Sequence, residues 1–294
     1  MKHILFFGYG FSAAALVRRL DRAEWKISAS FRSPASAEAL RAQGIGLLDF
    51  NQSTELPVDV THIVSSVPPE AEGDPVLQRF GVSLAEHARH ITWAAYLSTT
   101  GVYGDHGGAW IDEATPLTPN TERGWRRLRA EEAWLDLHAR HGLPLHIFRL
   151  AGIYGPGRNQ LETVLDGSAK RIIKEGQVFS RIHVDDIAGI LLASMAKPHP
   201  GAAYNVADDE PRPPQDVVEH AAVLLGKPVP PAIPFEQAEL SPMARSFYAD
   251  SKRVSNGRVK SELGYRFLYP SYREGLGELV RHISGSLSSA PRQP

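Results

Sequence analysis

Gly8 and Gly10, with Ala13 three residues further on, follow the apolar run His3-Ile4-Leu5-Phe6-Phe7. That run has no polar alternation and predicts a strand buried on both faces. Beyond the glycines, Ala13, Leu16, Val17 and Leu20 fall at i, i+3, i+4 and i+7, the apolar face of a helix. A strand, a glycine turn and a helix in that order can seat a dinucleotide. Gly8 permits the tight turn, Gly10 lets backbone approach a pyrophosphate, and small Ala13 lets helix and strand pack closely. The free N–H groups of the helix start, around Phe11 and Ser12, then face the phosphates. An ordinary strand-to-helix turn can also carry glycines, so the rest of the chain must discriminate.

Several later residues stand where such a ligand would pass. Arg32 ends the second strand, expected over Lys26 to Phe31, and no Asp or Glu occurs between Lys26 and Ser36. A carboxylate there would bond the ribose 2′-OH of NAD, whereas an arginine suits the 2′-phosphate of NADP. The expectation is therefore NADP, with NAD the alternative and a solvated surface arginine the bland one. A third strand ends at Asp49-Phe50, where Asp49 either contacts an adenine or caps a loop. A fourth runs from Val60 through Ser66-Val67 to Pro68-Pro69. A fifth, Thr92 to Leu97, ends in Ser98-Thr99-Thr100-Gly101-Val102-Tyr103-Gly104. Hydroxyls at that edge can bond a substrate hydroxyl or carbonyl, or simply serve a Ser/Thr/Gly-rich turn.

The elements that must hold these residues alternate. Helices are expected over Ala35 to Ala42, Asp74 to His90 and Thr121 to His141, with a sixth strand over Leu145 to Leu150. Sustained strand–helix alternation predicts an α/β fold, a Rossmann-type doubly wound parallel sheet. The 294 residues leave room for a second, smaller lobe. Hydrophobic residues make up 43% of the chain and the net charge is -1, which argues against nucleic acid or an acidic membrane surface as partners. With no cysteine there is no disulfide, thiolate metal site or cysteine nucleophile, in keeping with a cytoplasmic location. No apolar run reaches the roughly 18–20 residues that span a bilayer. The 12 histidines lack metal-site spacing; His138 and His141 share a helix without a carboxylate partner, so no metal is expected.

The motifs in order are Gly8-x-Gly10-x-x-Ala13, Ser98 to Gly104, Arg149-Leu150-Ala151-Gly152-Ile153-Tyr154-Gly155-Pro156-Gly157-Arg158 and Ile182-His183-Val184-Asp185-Asp186-Ile187-Ala188. Tyr204-Asn205-Val206-Ala207 and Glu262-Leu263-Gly264-Tyr265 follow. This order, over nearly the whole chain, resembles the extended short-chain dehydrogenase/reductase family, the nucleotide-sugar epimerase and dehydratase group, and especially its atypical members. The resemblance implies a Rossmann lobe over residues 1–155, with 183–207 returning to it, and a smaller α+β substrate lobe over 156–294. There a helix is expected over Pro211 to Leu225, another over Tyr272 to Ile283, and a loose tail from Ser284. The resemblance further implies cofactor contacts from Gly8, Gly10, Phe11, Ser12, Ala13, Arg32, Asp49, Phe50, Ser66, Val67 and Ser98. Thr99 would bind the reacting oxygen, and Thr100, Tyr154 and Arg181 would contact a small-molecule, nucleotide-linked sugar-like substrate; Arg181 also fits an ordinary surface arginine. A homodimer through the long helices is implied too, although those helices show no decisive apolar seam.

The family pattern breaks at its catalytic Tyr-x-x-x-Lys. Aligning Gly124, Leu128, Ala130 and Glu131 puts Arg123 at the tyrosine position and Arg127 at the lysine position. Arg127 keeps a positive charge for a ribose. Arg123 cannot shuttle a proton, because guanidinium does not release one near neutrality. Tyr103, Glu113 and His183 are the remaining proton donors in this reading. The cluster of Arg123, Arg126, Arg127 and Arg129 is either a solvated helix face or an anion site. The expected function is an NAD(P)-binding oxidoreductase or epimerase-like enzyme with a non-standard proton donor. The alternative is a non-catalytic NADP-binding redox sensor or partner-binding protein.

Overall fold

In a computed structural model describing residues 1–288, the chain begins β1 (Lys2–Phe7), α1 (Phe11–Val17), β2 (Trp25–Phe31), α2 (Pro34–Ala42), β3 (Gly46–Asp49) and β4 (His62–Ser65). It continues α3 (Pro75–His87), β5 (Trp93–Thr99), a 3₁₀ turn (Thr100–Tyr103), β6 (Trp110–Ile111), α4 (Glu122–His141) and β7 (Leu145–Leu150). Then come β8 (Gly152–Tyr154), α5 (Gln160–Leu165), β9 (Arg171–Ile173), β10 (Arg181–His183), α6 (Val184–Ala196) and β11 (Ala203–Val206). The last elements are α7 (Pro214–Leu224), β12 (Ala232–Pro234), α8 (Pro242–Phe247), β13 (Arg253–Val254), α9 (Gly257–Leu263) and α10 (Tyr272–Ser288).

Seven strands form one parallel sheet in the order β11-β7-β5-β4-β1-β2-β3. The order reverses between β1 and β4, so the crevice for a ligand opens at the carboxyl ends of those two strands. β1 is buried on both faces as its apolar run predicts. Ile4 and Phe6 join the core layer of α1 and α6, while Leu5 and Phe7 join that of α3 and α4. Burying each such side chain stabilises the fold by about 1.5–3 kcal/mol. Asp74 caps α3 by accepting from the Val76 and Leu77 amides, and its other oxygen accepts from Trp134 Nε1 of α4 at 3.0 Å. That contact fixes the long helix against the sheet.

Three separate two-stranded parallel pairs, β8–β10, β9–β12 and β6–β13, lie outside the large sheet. A satellite core of Tyr154, Leu161, Val217, Ala221, Tyr272 and Leu276 joins α5, α7 and α10. Some boundaries differ from expectation. α1 ends at Val17 rather than reaching Leu20, although Leu20 stays buried. α7 begins at Pro214 rather than Pro211, because Arg212 exchanges two backbone hydrogen bonds with Phe179, which holds the chain extended. The expected loose tail is corrected in part: α10 continues to Ser288, and residues 289–294 lie outside the described residues.

Candidate functional site

The glycine turn is tied to the strands on both sides of it. Ser30 Oγ of β2 accepts from the Gly8 amide at 3.3 Å, and Ser66 Oγ, just past β4, donates to the Gly8 carbonyl at 3.0 Å. Gly8 has φ +83°, a left-handed conformation, and a Cβ there would come 2.9 Å from Ser66 Oγ and 3.5 Å from Val67 Cγ2. Gly10 has a different reason. As N-cap of α1 it supplies no side-chain acceptor, and a Cβ built on it meets no atom within 4 Å. Its missing side chain leaves open the space in front of the helix start, where the first amides have no intrahelical partner. Ser12 and Ala13 are buried beneath the turn, and the Phe11 ring lies against Gly155 at the start of the small lobe.

At the end of β2, the Arg32 guanidinium stacks over the Phe50 ring at 4.3 Å, and its Nη1 lies 3.7 Å from Glu70 Oε1. Arg32 and Glu70 are both about half exposed, with side chains 49% and 57% accessible. Glu70 is a finding that local sequence reading missed: the strand end has no acid of its own, but the loop after β4 brings one. Asp49 takes the loop-capping role, accepting from the Asn51 and Gln52 amides at 2.9 and 3.2 Å.

The end of β5 sits on a buried polar chain. Ser98 Oγ donates to the Glu131 carboxylate, which also accepts from Arg149 Nη2 at 2.9 Å. Arg149 Nη1 donates to Tyr103 Oη at 2.8 Å, and Tyr103 donates to Asn205 Oδ1 at 2.8 Å. Glu113 accepts from the Asn205 amide at 2.8 Å. Burial pushes both the Tyr103 phenol and the Glu113 carboxyl up from their ordinary values. Arg149 pairs with Ser98 in the sheet register, and Asn205 with Arg149. Asn205, to whose backbone Glu113 is bonded, therefore lies two strands from Ser98, about 10 Å. Tyr103 is fully enclosed, with its hydroxyl bonded on both sides.

Thr99 Oγ1 accepts from the Gly101 amide at 3.2 Å and shapes the turn that begins at half-buried Thr100. α4 packs its first turn on that segment: a Cβ at Gly124 would come 2.9 Å from the Gly101 carbonyl oxygen. This packing brings Arg127 to the end of β5 and sets Arg123 one helical turn before it. Arg127 is buried and its Nη1 donates to the Leu97 carbonyl at 2.8 Å and to Tyr96 Oη at 3.2 Å. Arg123 is exposed, with its guanidinium 5.7 Å from the Phe247 ring of α8.

Tyr154 and Arg181 are not brought to this edge by their side-chain contacts. Tyr154 is buried in the small-lobe core and donates to the Ser271 carbonyl at 3.3 Å. Arg181 is buried and spends Nη1 on the carbonyls of Phe179 and Arg212, at 3.0 and 3.1 Å. The surface-arginine alternative for Arg181 is therefore corrected: it holds β10 to the start of α7. His183 caps α6 by accepting from the Asp185 amide at 3.2 Å, and burial lowers its pKa to about 4, so the ring is neutral at neutral pH. No cluster of three His, Cys, Asp or Glu that could hold a metal occurs among the described residues, and no helix there is long and apolar enough to cross a membrane.

The model of the NAD dependent epimerase/dehydratase family matches residues 8–207. A solved structure of a functionally unknown conserved protein from Silicibacter pomeroyi is 52% identical, covers 96% of this chain and 99% of that one, and superposes with a TM-score of 0.90. Protein YeeZ of Escherichia coli K12 is 27% identical over 92% of this chain and 97% of its own length. A dTDP-glucose 4,6-dehydratase from Bacillus anthracis, solved in complex with NAD, shares the fold with a TM-score of 0.74 at 20% identity, covering 98% of each chain. The glycine turn and the β5 edge fall within the matched segment, and the chain belongs to the NAD dependent epimerase/dehydratase family.

Proposed function

We propose that the protein binds a nicotinamide dinucleotide, NADP in preference to NAD, and acts as an oxidoreductase or epimerase-like enzyme on a small sugar-like or nucleotide-linked substrate. The observation that carries this reading is the open space at Gly10, before an uncapped helix start and beside the switch point of the sheet. The turn from Gly8 to Ala13 would hold the pyrophosphate, with Ser66 and Val67 lining its β4 side. Arg32, with Phe50 beneath it, would take the 2′-phosphate. Arg127, held on the Leu97 carbonyl, would supply a fixed positive charge for the ribose, and Thr99 would hold the reacting oxygen. When bound, the nicotinamide supplies or accepts a hydride. Arg123 does not exchange the proton, since guanidinium keeps its own.

The test is titration with NADP, NADPH and NAD, followed by a turnover screen with nucleotide sugars and small carbonyl compounds. NADP binding tighter than NAD, with cofactor oxidation or reduction on at least one substrate, is the expected result. Failure of both dinucleotides to bind would overturn the reading.

One observation favours a second reading: both catalytic positions of the family hold arginine, and one of the two is buried in internal hydrogen bonds. A protein that binds NADP without chemistry would signal cofactor redox state to a partner, and must then bind that partner differently in its NADP and NADPH forms. Tight NADP binding, silence across the substrate panel and unequal partner affinity would together select it.

A further inference from the structure

Arg123 and Arg127 are one helical turn apart and share a face of α4, where like charges repel. The other arginines of this helix are neutralised. Arg126 and Arg129 face Glu122 at 2.9 and 3.7 Å, and Arg140 faces Asp136 at 2.7 Å. Among the described residues, no carboxylate lies within 4.0 Å of either Arg123 or Arg127. Two adjacent cations with no carboxylate in ion-pair contact stand at the end of α4 that packs on the turn after Thr99. Arg127 is anchored to Leu97, two residues before Thr99, and Arg123 extends to Phe247, a residue 53% exposed.

We propose that Arg123, backed by the charge of Arg127, recognises an oxyanion of the substrate, a carboxylate or phosphate carried close to the carbon whose oxygen Thr99 holds. This deepens the proposed function and rests on its placement of the reacting oxygen at Thr99. Guanidinium matches such anions because its forked donors fit two oxygens at once. The cofactor's own phosphates do not account for the pair. They belong at the glycine turn on β1, and β1 and β5 are separated by β4, a spacing of about 10 Å across the sheet. The exposed Phe247 ring offers an apolar surface beside the charge, suited to the carbon skeleton of a compact anionic substrate.

The experiment titrates the protein, saturated with NADP so that the glycine turn is filled, with D-glucuronate, D-glucose and inorganic phosphate. Wild type, Arg123→Gln and Arg126→Gln are compared by calorimetry. Wild type and Arg126→Gln are expected to bind phosphate, and to bind glucuronate at least about 10-fold more tightly than glucose. Arg123→Gln should lose that preference while keeping its NADP affinity. Equal binding of glucuronate and glucose by wild type, or a preference that survives Arg123→Gln, overturns the proposal. NADP binding without the anion preference removes the oxyanion site and leaves the proposed cofactor role standing. An Arg123-dependent anion preference in a protein that does not bind NADP does the reverse.

Discussion

Arg32 has two claims on it. It stacks on Phe50 and faces Glu70, an acid that must be displaced or swung aside before a 2′-phosphate can be gripped. The pair is half exposed, so its own attraction is weak, whereas a phosphate offers a doubly charged, forked partner. Arg32→Ala should weaken NADP binding about 10- to 100-fold and leave NAD nearly unchanged, because charge-assisted hydrogen bonds contribute about 1.5–3 kcal/mol. Glu70→Gln should strengthen NADP binding several-fold by freeing the guanidinium. Parallel NADP and NAD titrations of both variants check this, and an equal loss for the two cofactors in Arg32→Ala would remove Arg32 from the site. By contrast, Glu131 and Arg149 are both buried and mutually bonded, and they fix the edge on which Thr99 stands. Removing one partner of such a pair strands a buried charge.

At the scale of the element, the two turn glycines are required for opposite reasons. Gly8 is constrained from within by its positive φ and by Ser66, whereas Gly10 has ordinary φ and open space around it. Gly8→Ala should therefore lower stability by about 1 kcal/mol or more. Gly10→Val should leave the thermal midpoint within a few degrees of wild type and reduce dinucleotide affinity more than about 10-fold, since its side chain would occupy the space a pyrophosphate needs. Thermal melts with and without NADP separate the two effects. Should Gly10→Val bind NADP normally, the turn is not the phosphate seat. α4 illustrates a different economy of design: Thr121 caps its start by accepting from the Gly124 amide, and Gly142 ends it in a left-handed conformation. Between those caps, Gly124 lets the first turn approach the turn after β5 closely, with Arg127 bonded to the β5 end and Arg123 one helical turn before it.

Across the whole molecule, Asp208 ties the end of β11 to β10, its amide donating to the Arg181 carbonyl at 2.7 Å. One carboxyl oxygen accepts from the Glu210 amide at 3.2 Å, and the other is buried without a hydrogen-bond partner. Burial pushes its pKa up to about 8, against an ordinary value of 3.8. The folded protein therefore holds a proton that the unfolded chain releases. The stability from this group is fully present below about pH 4 and is lost as pH rises through about 8. Asp208→Asn should flatten that slope, matching wild type near pH 4 and exceeding it in stability at pH 9. Urea unfolding at pH 5, 7 and 9 measures the difference; parallel stability profiles would contradict the account.

The strand–turn–helix opening, the alternation behind it and the family motifs were legible in the chain alone, because each rests on local period or on residues a few positions apart. β1 shows this directly, with Ile4 and Phe6 entering one core layer and Leu5 and Phe7 the other. The replacement of tyrosine and lysine by Arg123 and Arg127 was legible for the same reason. Their surroundings were not. Glu70 beside Arg32, Phe247 beside Arg123 and Asn205 beside Tyr103 join segments 38, 124 and 102 positions apart. The short pair of β6 and β13 likewise joins residues far apart in the chain, with no periodic pattern in two residues. The motif positions of Tyr154 and Arg181 likewise did not reveal that Tyr154 donates to the Ser271 carbonyl or that Arg181 Nη1 bridges the Phe179 and Arg212 carbonyls. Local spacing decides which backbone element forms. What a side chain meets depends on how distant elements pack, and here that packing separates the buried Arg127 from the exposed Arg123.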